Sequence, residues 1–219
     1  MRERILVFDM DGVLAEVGES YREGVVQTVR HFTGRTVPRE RIQDYKNAGG
    51  WNNDWALSQR LCRDYGSEVS YEAVVDYFVS IFLGPGGLIE REAWLAEPGL
   101  LERLAGRFRL SLFTGRNRAE LTPTLARFAP EIRFEPIITS DDITNGKPSP
   151  DGLNLVRSRH PGAKLWYIGD TVDDARSARA AGVPFIGIAA GGTPPSLFLA
   201  EGATHVIASV NKLEEVLPQ

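Results

Sequence analysis

The chain of 219 residues holds a single cysteine, Cys62. That excludes an intrachain disulfide, and with it a cysteine-built zinc site. Histidine is almost as scarce: His31, His160 and His205 stand far apart and form no metal-binding motif. No apolar run approaches the roughly 20 residues of a membrane span. The opening residues, MRERILVF, lack the long apolar stretch of a signal peptide. There is no long basic run either, and a net charge of -4 leaves no nucleic-acid footprint. Internal repeats and low-complexity tracts are missing. These absences leave a cytoplasmic protein, with neither nucleic acid nor membrane as a partner. Its 42% hydrophobic content suffices for one large core, or a core plus a smaller domain.

What is present is a set of short apolar runs: Ile5–Phe8, Leu110–Phe113, Leu165–Ile168 and Pro184–Ile188, with a further strand at His205–Ala208. None of the first four alternates cleanly with polar residues, so each reads as a strand covered on both faces of a parallel sheet. Helical patterns lie between them. Leu100, Leu101 and Leu104 share one side of Gly99–Gly106, and DDARSARAAG at Asp173–Gly182 begins with acids and stops at glycine. A last helix is expected at Lys212–Leu217. The alternation implies right-handed crossovers and an α/β fold, a Rossmann-like, doubly wound parallel sheet. Residues 15–87 differ. Tyr21, Val25, Val29 and Phe32 recur at helical spacing, as do Val74, Phe78 and Ile81 or Phe82, and GPGG at Gly84–Gly87 is a strong breaker. The expected organisation is an α/β core of residues 1–14 and 88–219 with an α-helical cap, 15–87, inserted into it.

In an open parallel sheet, ligands bind beyond the carboxyl ends of the strands. The first run ends in Asp9-Met10-Asp11-Gly12, the second in Thr114-Gly115-Arg116, the third in Gly169-Asp170-Thr171-Val172-Asp173-Asp174. Carboxylates, a hydroxyl and an arginine are thus delivered to one edge. Crowding Asp9, Asp11 and Asp170 is costly unless a cation neutralises them. An all-oxygen donor set suits a hard metal, and Mg²⁺ prefers a few carboxylates with water and a substrate phosphate. Lys147, in NGKPSPDG, is one of four lysines against 21 arginines. Held before a proline, it is placed to balance an aspartate and a phosphate together. Asp173 and Asp174 also read as N-terminal acids of a helix, and Thr114 as a strand-end hydroxyl bonded to its own backbone.

DMDGV, FTGR, GKPSPD and GDTVDD, in that order, resemble the haloacid dehalogenase superfamily, specifically its subfamily I phosphatases with an α-helical cap. The resemblance covers the whole chain. It implies a Mg²⁺-dependent phosphomonoester hydrolase acting on a small phosphorylated metabolite. Asp9 would be the nucleophile that forms an aspartyl-phosphate. Asp11 would be the general acid and base, its main-chain carbonyl binding the metal. Asp170 would be the third protein ligand, and Asp174 would hold a metal-bound water. Thr114 and the amide of Gly115 would hold phosphoryl oxygens, and Lys147 would steady Asp9 and the transferring group. Dehalogenases of the superfamily lack an acid two positions after the nucleophile, so Asp11 favours an oxygen leaving group.

In the cap, AGGWNNDW at Ala48–Trp55 places two tryptophans four apart, expected on one helix face. Substrate selection is expected from among Lys46, Asn47, Trp51, Asn52 and Asn53, with Arg22 and Arg116 as further candidates. This stretch resembles a branch of which some members accompany histidine biosynthesis, which makes a phosphorylated histidinol a candidate substrate. Gly191-Gly192 reads as a turn, and Cys62 as a small apolar cap residue. A phosphomutase would need a cap lysine or histidine, for which Lys46 and His31 are the candidates, and a phosphonate hydrolase would need Lys46 as a Schiff base. A non-catalytic metabolite-binding protein is the alternative from another class; an intact acid set speaks against it. A monomer and a homodimer are equally compatible with the sequence.

Overall fold

The computed structural model describes residues 3–190 and 192–218, so Gly191 of the expected glycine turn lies outside the described residues. The chain opens with β1 (Arg4–Phe8) and β2 (Ala15–Glu16). Then come α1 (Tyr21–Thr33), α2 (Arg39–Ala48), α3 (Asp54–Asp64), α4 (Tyr71–Leu83) and β3 (Ala93–Trp94). From there α5 (Leu100–Ala105), β4 (Arg109–Phe113), α6 (Arg118–Phe128), β5 (Phe134–Ile138), α7 (Asp151–Arg159), β6 (Lys164–Gly169), α8 (Val172–Ala181), β7 (Phe185–Ile188), α9 (Pro195–Ala200) and β8 (His205–Ile207) alternate strand and helix. Two compact units result: one runs to Glu16 and resumes at Trp94, the other is Val17–Ala93.

The first unit is the α/β core. Its sheet runs β5-β4-β1-β6-β7-β8, and every pair in it is parallel. Ile5, Leu6, Val7 and Phe8 are all fully buried, as a strand covered on both faces requires. Burying each is worth roughly 2 kcal/mol, which holds β1 in the centre against the cost of the charges at its tip. Ile5 and Val7 pack with Leu165 and Tyr167 of β6 against Leu153 and Val156 of α7 and Ala175 and Ala178 of α8. The strand order reverses at β1, with β4 on one side and β6 on the other. Such a switch point opens a crevice at the carboxyl ends. Phe8 is level with Leu112 and with Ile168, so Asp9, Thr114 and Asp170 emerge just past one edge.

Several local expectations need correction. β5 was not foreseen: it carries Pro136 and alternates buried with half-buried residues, which an edge strand tolerates because one side of its backbone has no strand to pair with. The terminal segment Val210–Glu215 is a 3₁₀ turn and not an α-helix.

The second unit is helical. Its core gathers Val25 and Val29 of α1, Ile42 of α2, Leu57 and Leu61 of α3, and Phe78 and Phe82 of α4. Leu88 joins this core, so the GPGG breaker falls inside the helical unit rather than at its end. Trp51 and Trp55 do not share a helix: α3 begins at Asp54, capped by the Asn53 side chain, and Trp51 precedes it. Both rings pack against the unit's core all the same. Cys62 is buried there, and burial pushes its thiol up to about 11, which leaves it inert. No helix among the described residues is long and apolar enough to cross a membrane.

Candidate active site at the carboxyl edge of the core sheet

The loop after β1 explains the spacing of its two aspartates. Asp9 N–H donates to Ile168 C=O at 2.9 Å, continuing the ladder by one residue. The chain then folds back: the amides of Leu14 and Ala15 both donate to Met10 C=O at 2.9 Å, and Gly12 N–H donates to Ala15 C=O at 2.8 Å. Met10, Val13 and Leu14 are fully buried. The greasy residue between the acids is therefore the anchor of the turn. Gly12 has φ +70°, and a Cβ built on it would lie 2.0 Å from Asp170 Oδ2. Glycine is needed there because the backbone passes directly against the third-strand carboxylate.

Lys147 ties the acids together. Its Nζ lies 2.8 Å from Asp9 Oδ1 and 2.7 Å from Asp174 Oδ1, with its side chain 1% exposed. The ammonium lies 5.0 Å from the Phe113 ring centre and 5.5 Å from that of Tyr167. The loop that carries it is pinned by Asp151, which accepts from Asn145 Nδ2 at 3.0 Å and Ser149 Oγ at 2.7 Å. Ser177 Oγ of α8 donates to Ser149 C=O at 2.7 Å. Asp174 sits where its helix starts. Thr171 caps α8, and Asp174 Oδ2 accepts from Thr171 N–H at 3.0 Å and Thr171 Oγ1 at 2.6 Å. Its Oδ1 accepts from Tyr167 O–H at 2.6 Å. Gly169 leaves room for it: a Cβ there would meet Asp174 Cβ at 2.5 Å.

The electrostatics follow from burial. Desolvation raises Asp9, Lys147 opposes that, and the charges of Asp174 and Asp11 add to it; the net is a carboxyl raised to about 7. Burial also acts against the charge on Lys147, but Asp174 and Asp9 outweigh it and hold the ammonium above its ordinary value. Asp174, whose ionisation burial would likewise oppose, is held below the usual carboxylate range by Lys147, Thr171 and Tyr167. Tyr167 is pushed well up by burial and by Asp174. One ammonium is thus shared between two buried carboxylates, with Asp170 close by. Asp9, Asp170 and Asp174 each offer an oxygen within 4.8 Å of the others, a buried carboxylate group able to hold a metal ion. Both Asp174 oxygens are already engaged by protein donors, so Asp9 and Asp170 have the better claim to such an ion.

Thr114 is fully buried at the end of β4; its N–H donates to Ile138 C=O at 3.0 Å and its Oγ1 accepts from Arg116 N–H at 3.2 Å. Gly115 is exposed beside it. Arg116 does not reach outward. Its side chain is fully buried, and Nε and Nη2 both donate to Asp11 Oδ1, at 2.8 and 2.5 Å. The structure thus brings Asp9, Asp11, Thr114, Arg116, Lys147, Asp170 and Asp174 to one edge. Sequence reasoning missed Tyr167, the hydroxyl inside an otherwise apolar run, seven residues before the acid it supports.

In the helical unit, Lys46 Nζ pairs with Asp54 Oδ1 at 2.8 Å and donates to Asn52 C=O at 3.3 Å. Asn47 Oδ1 accepts from Gln43 Nε2 at 2.9 Å. Trp51 stands edge-on to Tyr45, and Asn53 donates to Tyr71 Oη at 3.1 Å while capping α3. Arg22 is half-buried, with an Nη1 that has no hydrogen-bond partner.

The chain is similar to several known proteins. An imidazoleglycerol-phosphate dehydratase from Phytophthora nicotianae is 37% identical over 195 residues, 84% of this chain; the chain spans only 42% of that protein. A phosphoglycolate phosphatase from Salmonella paratyphi A is 33% identical over 206 residues, covering 86% of this chain and 82% of that protein. The crystal structure of a hydrolase from Pseudomonas syringae shares the fold at a TM-score of 0.74 over the whole of both chains, with 19% identity. Residues 3–182 match the family of haloacid dehalogenase-like hydrolases. The chain belongs to that family, and a relative of nearly its full length there is a phosphatase.

Proposed function

We propose that the protein is a Mg²⁺-dependent phosphatase of small phosphorylated metabolites. The observation that carries this reading is Lys147 bridging Asp9 and Asp174, with Asp11 two residues from Asp9. In the first step an Asp9 oxygen bonds to phosphorus, the ester P–O bond breaks, and the leaving oxygen takes the proton of Asp11. In the second, water attacks phosphorus and gives its proton to Asp11, the bond to Asp9 breaks, and inorganic phosphate leaves. Lys147 and the amide and hydroxyl at Thr114-Gly115 stabilise charge on the transferring oxygens. The buried carboxylates gathered here fit a hard divalent ion, which Asp9, Asp170 and the Asp11 carbonyl would hold. When bound, that ion supplies charge neutralisation between nucleophile and phosphate.

The phosphonate-hydrolase alternative is disfavoured because its only candidate lysine, Lys46, is engaged by Asp54. The mutase alternative rests on the same lysine and on His31, an exposed residue stacked on Tyr77. The names of the relatives set the first substrates to try: phosphoglycolate, imidazoleglycerol phosphate and, from the sequence resemblance, phosphorylated histidinol. The test is release of inorganic phosphate from these and from a broad metabolite panel, with Mg²⁺ and with chelator. Mg²⁺-dependent release supports the reading; an isomerised sugar phosphate or an aldehyde as product, or no turnover at all, overturns it.

Gly12→Ala tests the metal assignment. Its Cβ would collide with Asp170, and the left-handed backbone adds about 1–2 kcal/mol of strain. The expected outcome is a lower melting temperature and a Mg²⁺ midpoint for phosphate release raised about tenfold or more, as one displaced ligand implies. An unchanged Mg²⁺ titration would remove Asp170 from the metal site.

A further inference from the structure

Arg116 is the largest fully buried side chain described in the protein. A guanidinium is costly to bury unless its donors are used, and here they serve two ends. One edge grips Asp11 Oδ1 through Nε and Nη2; from the other, Nη1 donates to Thr124 Oγ1 at 2.7 Å and to Glu120 C=O at 3.5 Å. Both of those acceptors belong to α6, whose first turn is locked by the reciprocal Asn117–Glu120 capping box. The main chain of Arg116 is fixed too: its N–H donates to Thr114 Oγ1 and its C=O accepts from Ser140 N–H at 3.0 Å. Asp11, by contrast, is 30% exposed at its side chain, and its carboxylate lies outside the Asp9, Asp170 and Asp174 group. The turn after β1 fixes the Asp11 backbone, and the Arg116 fork holds its carboxylate.

We propose that Arg116 is a positioning residue for catalysis: it braces the Asp11 carboxylate against α6, through Thr124, in the orientation from which Asp11 exchanges a proton with the leaving oxygen. This rests on the phosphatase reading and assigns Arg116 a role inside the protein, where a substrate contact was expected. The consequence is a dependence on the leaving group. A phenolate needs a proton as it departs; a dinitrophenolate does not. Loss of the brace therefore slows esters of basic leaving groups selectively, whereas a general loosening of the fold slows all esters alike.

The test compares kcat/KM, which reports the step up to transfer onto Asp9, for phenyl phosphate and 2,4-dinitrophenyl phosphate in saturating Mg²⁺. Arg116→Met is expected to lower kcat/KM on the order of 100-fold for phenyl phosphate and less than about tenfold for the dinitrophenyl ester. Thr124→Val, which removes only the far anchor, gives a smaller loss with the same selectivity. Arg116→Lys, a single ammonium unable to bridge both partners, does not restore phenyl phosphate turnover. Thermal melting identifies any variant that has lost its fold, and Thr124→Val carries the test if Arg116→Met has. Equal losses on both esters, or no loss, would overturn the inference while leaving the phosphatase reading intact. A wild-type protein without Mg²⁺-dependent turnover of either ester, or Asp9→Asn with full turnover, removes both.

Discussion

If Asp9 is the nucleophile, Asp9→Asn is expected to reduce phosphate release by a factor on the order of 10⁴ or more, because the amide lacks the attacking carboxylate oxygen. The fold is expected to survive the change. Lys147 keeps its 2.7 Å pair with Asp174, and the carbonyl oxygen of the substituted amide can still accept from the ammonium. The stability effect has a definite sign in chelator. Burial raises the Asp9 carboxyl from 3.8 to about 7, so between those values the folded chain keeps a proton that the unfolded chain gives up. Stability contributed by that proton is full below the lower value and is lost as pH rises through the higher one. Asparagine never ionises and has no such slope. The melting temperature of Asp9→Asn should therefore match the wild type near pH 4 and exceed it at pH 8. A variant that loses activity and also melts lower at pH 8 would mean that the Asp9 charge supports the fold instead of opposing it.

The parts of this site legible in the sequence are those where one local pattern fixes both position and chemistry. ILVFD, LFTG and YIGD each join a buried parallel strand to the residue at its carboxyl end, so placing the strand places Asp9, Thr114 or Asp170. The helix reading of Asp173–Gly182 holds for the same reason: Thr171 at the start and Gly182, at φ +63°, at the stop are local signals. Long-range facts were not legible. Arg116 meets Asp11 across 105 positions, and a guanidinium has many possible partners in a chain with 29 acids. β5 was hidden by Pro136 and by a half-buried alternation that marks an edge only once the sheet order is known. Trp51 and Trp55 show the limit of periodicity: spacing four is helical only if the helix has begun, and Asn53 begins it between them.

Lys147→Met carries the second large effect, this time on fold and activity together. Methionine matches the lysine stem in the slot beside the Phe113 and Tyr167 rings, so little packing is lost. What is lost is the cation that pairs with both Asp9 and Asp174, and removing one partner of a buried ion pair costs about 3–5 kcal/mol. The loss should be greatest near pH 8 and smaller near pH 5, where the stranded carboxyls can take up protons in place of the ammonium. Activity should fall about 10²- to 10³-fold, the usual cost of removing a preorganised charge from the transferring oxygens. Lys147→Arg should not restore it, because a planar fork cannot take the place of a point charge set between two aspartates. The double variant Lys147→Met with Asp174→Asn separates the two roles. Neutralising Asp174 removes the stranded charge, so the double variant should unfold at a higher urea concentration than Lys147→Met alone yet remain as inactive. If the two substitutions simply add in destabilisation, the lysine holds the loop by packing, and the charge balance around Asp9 is not what keeps it there.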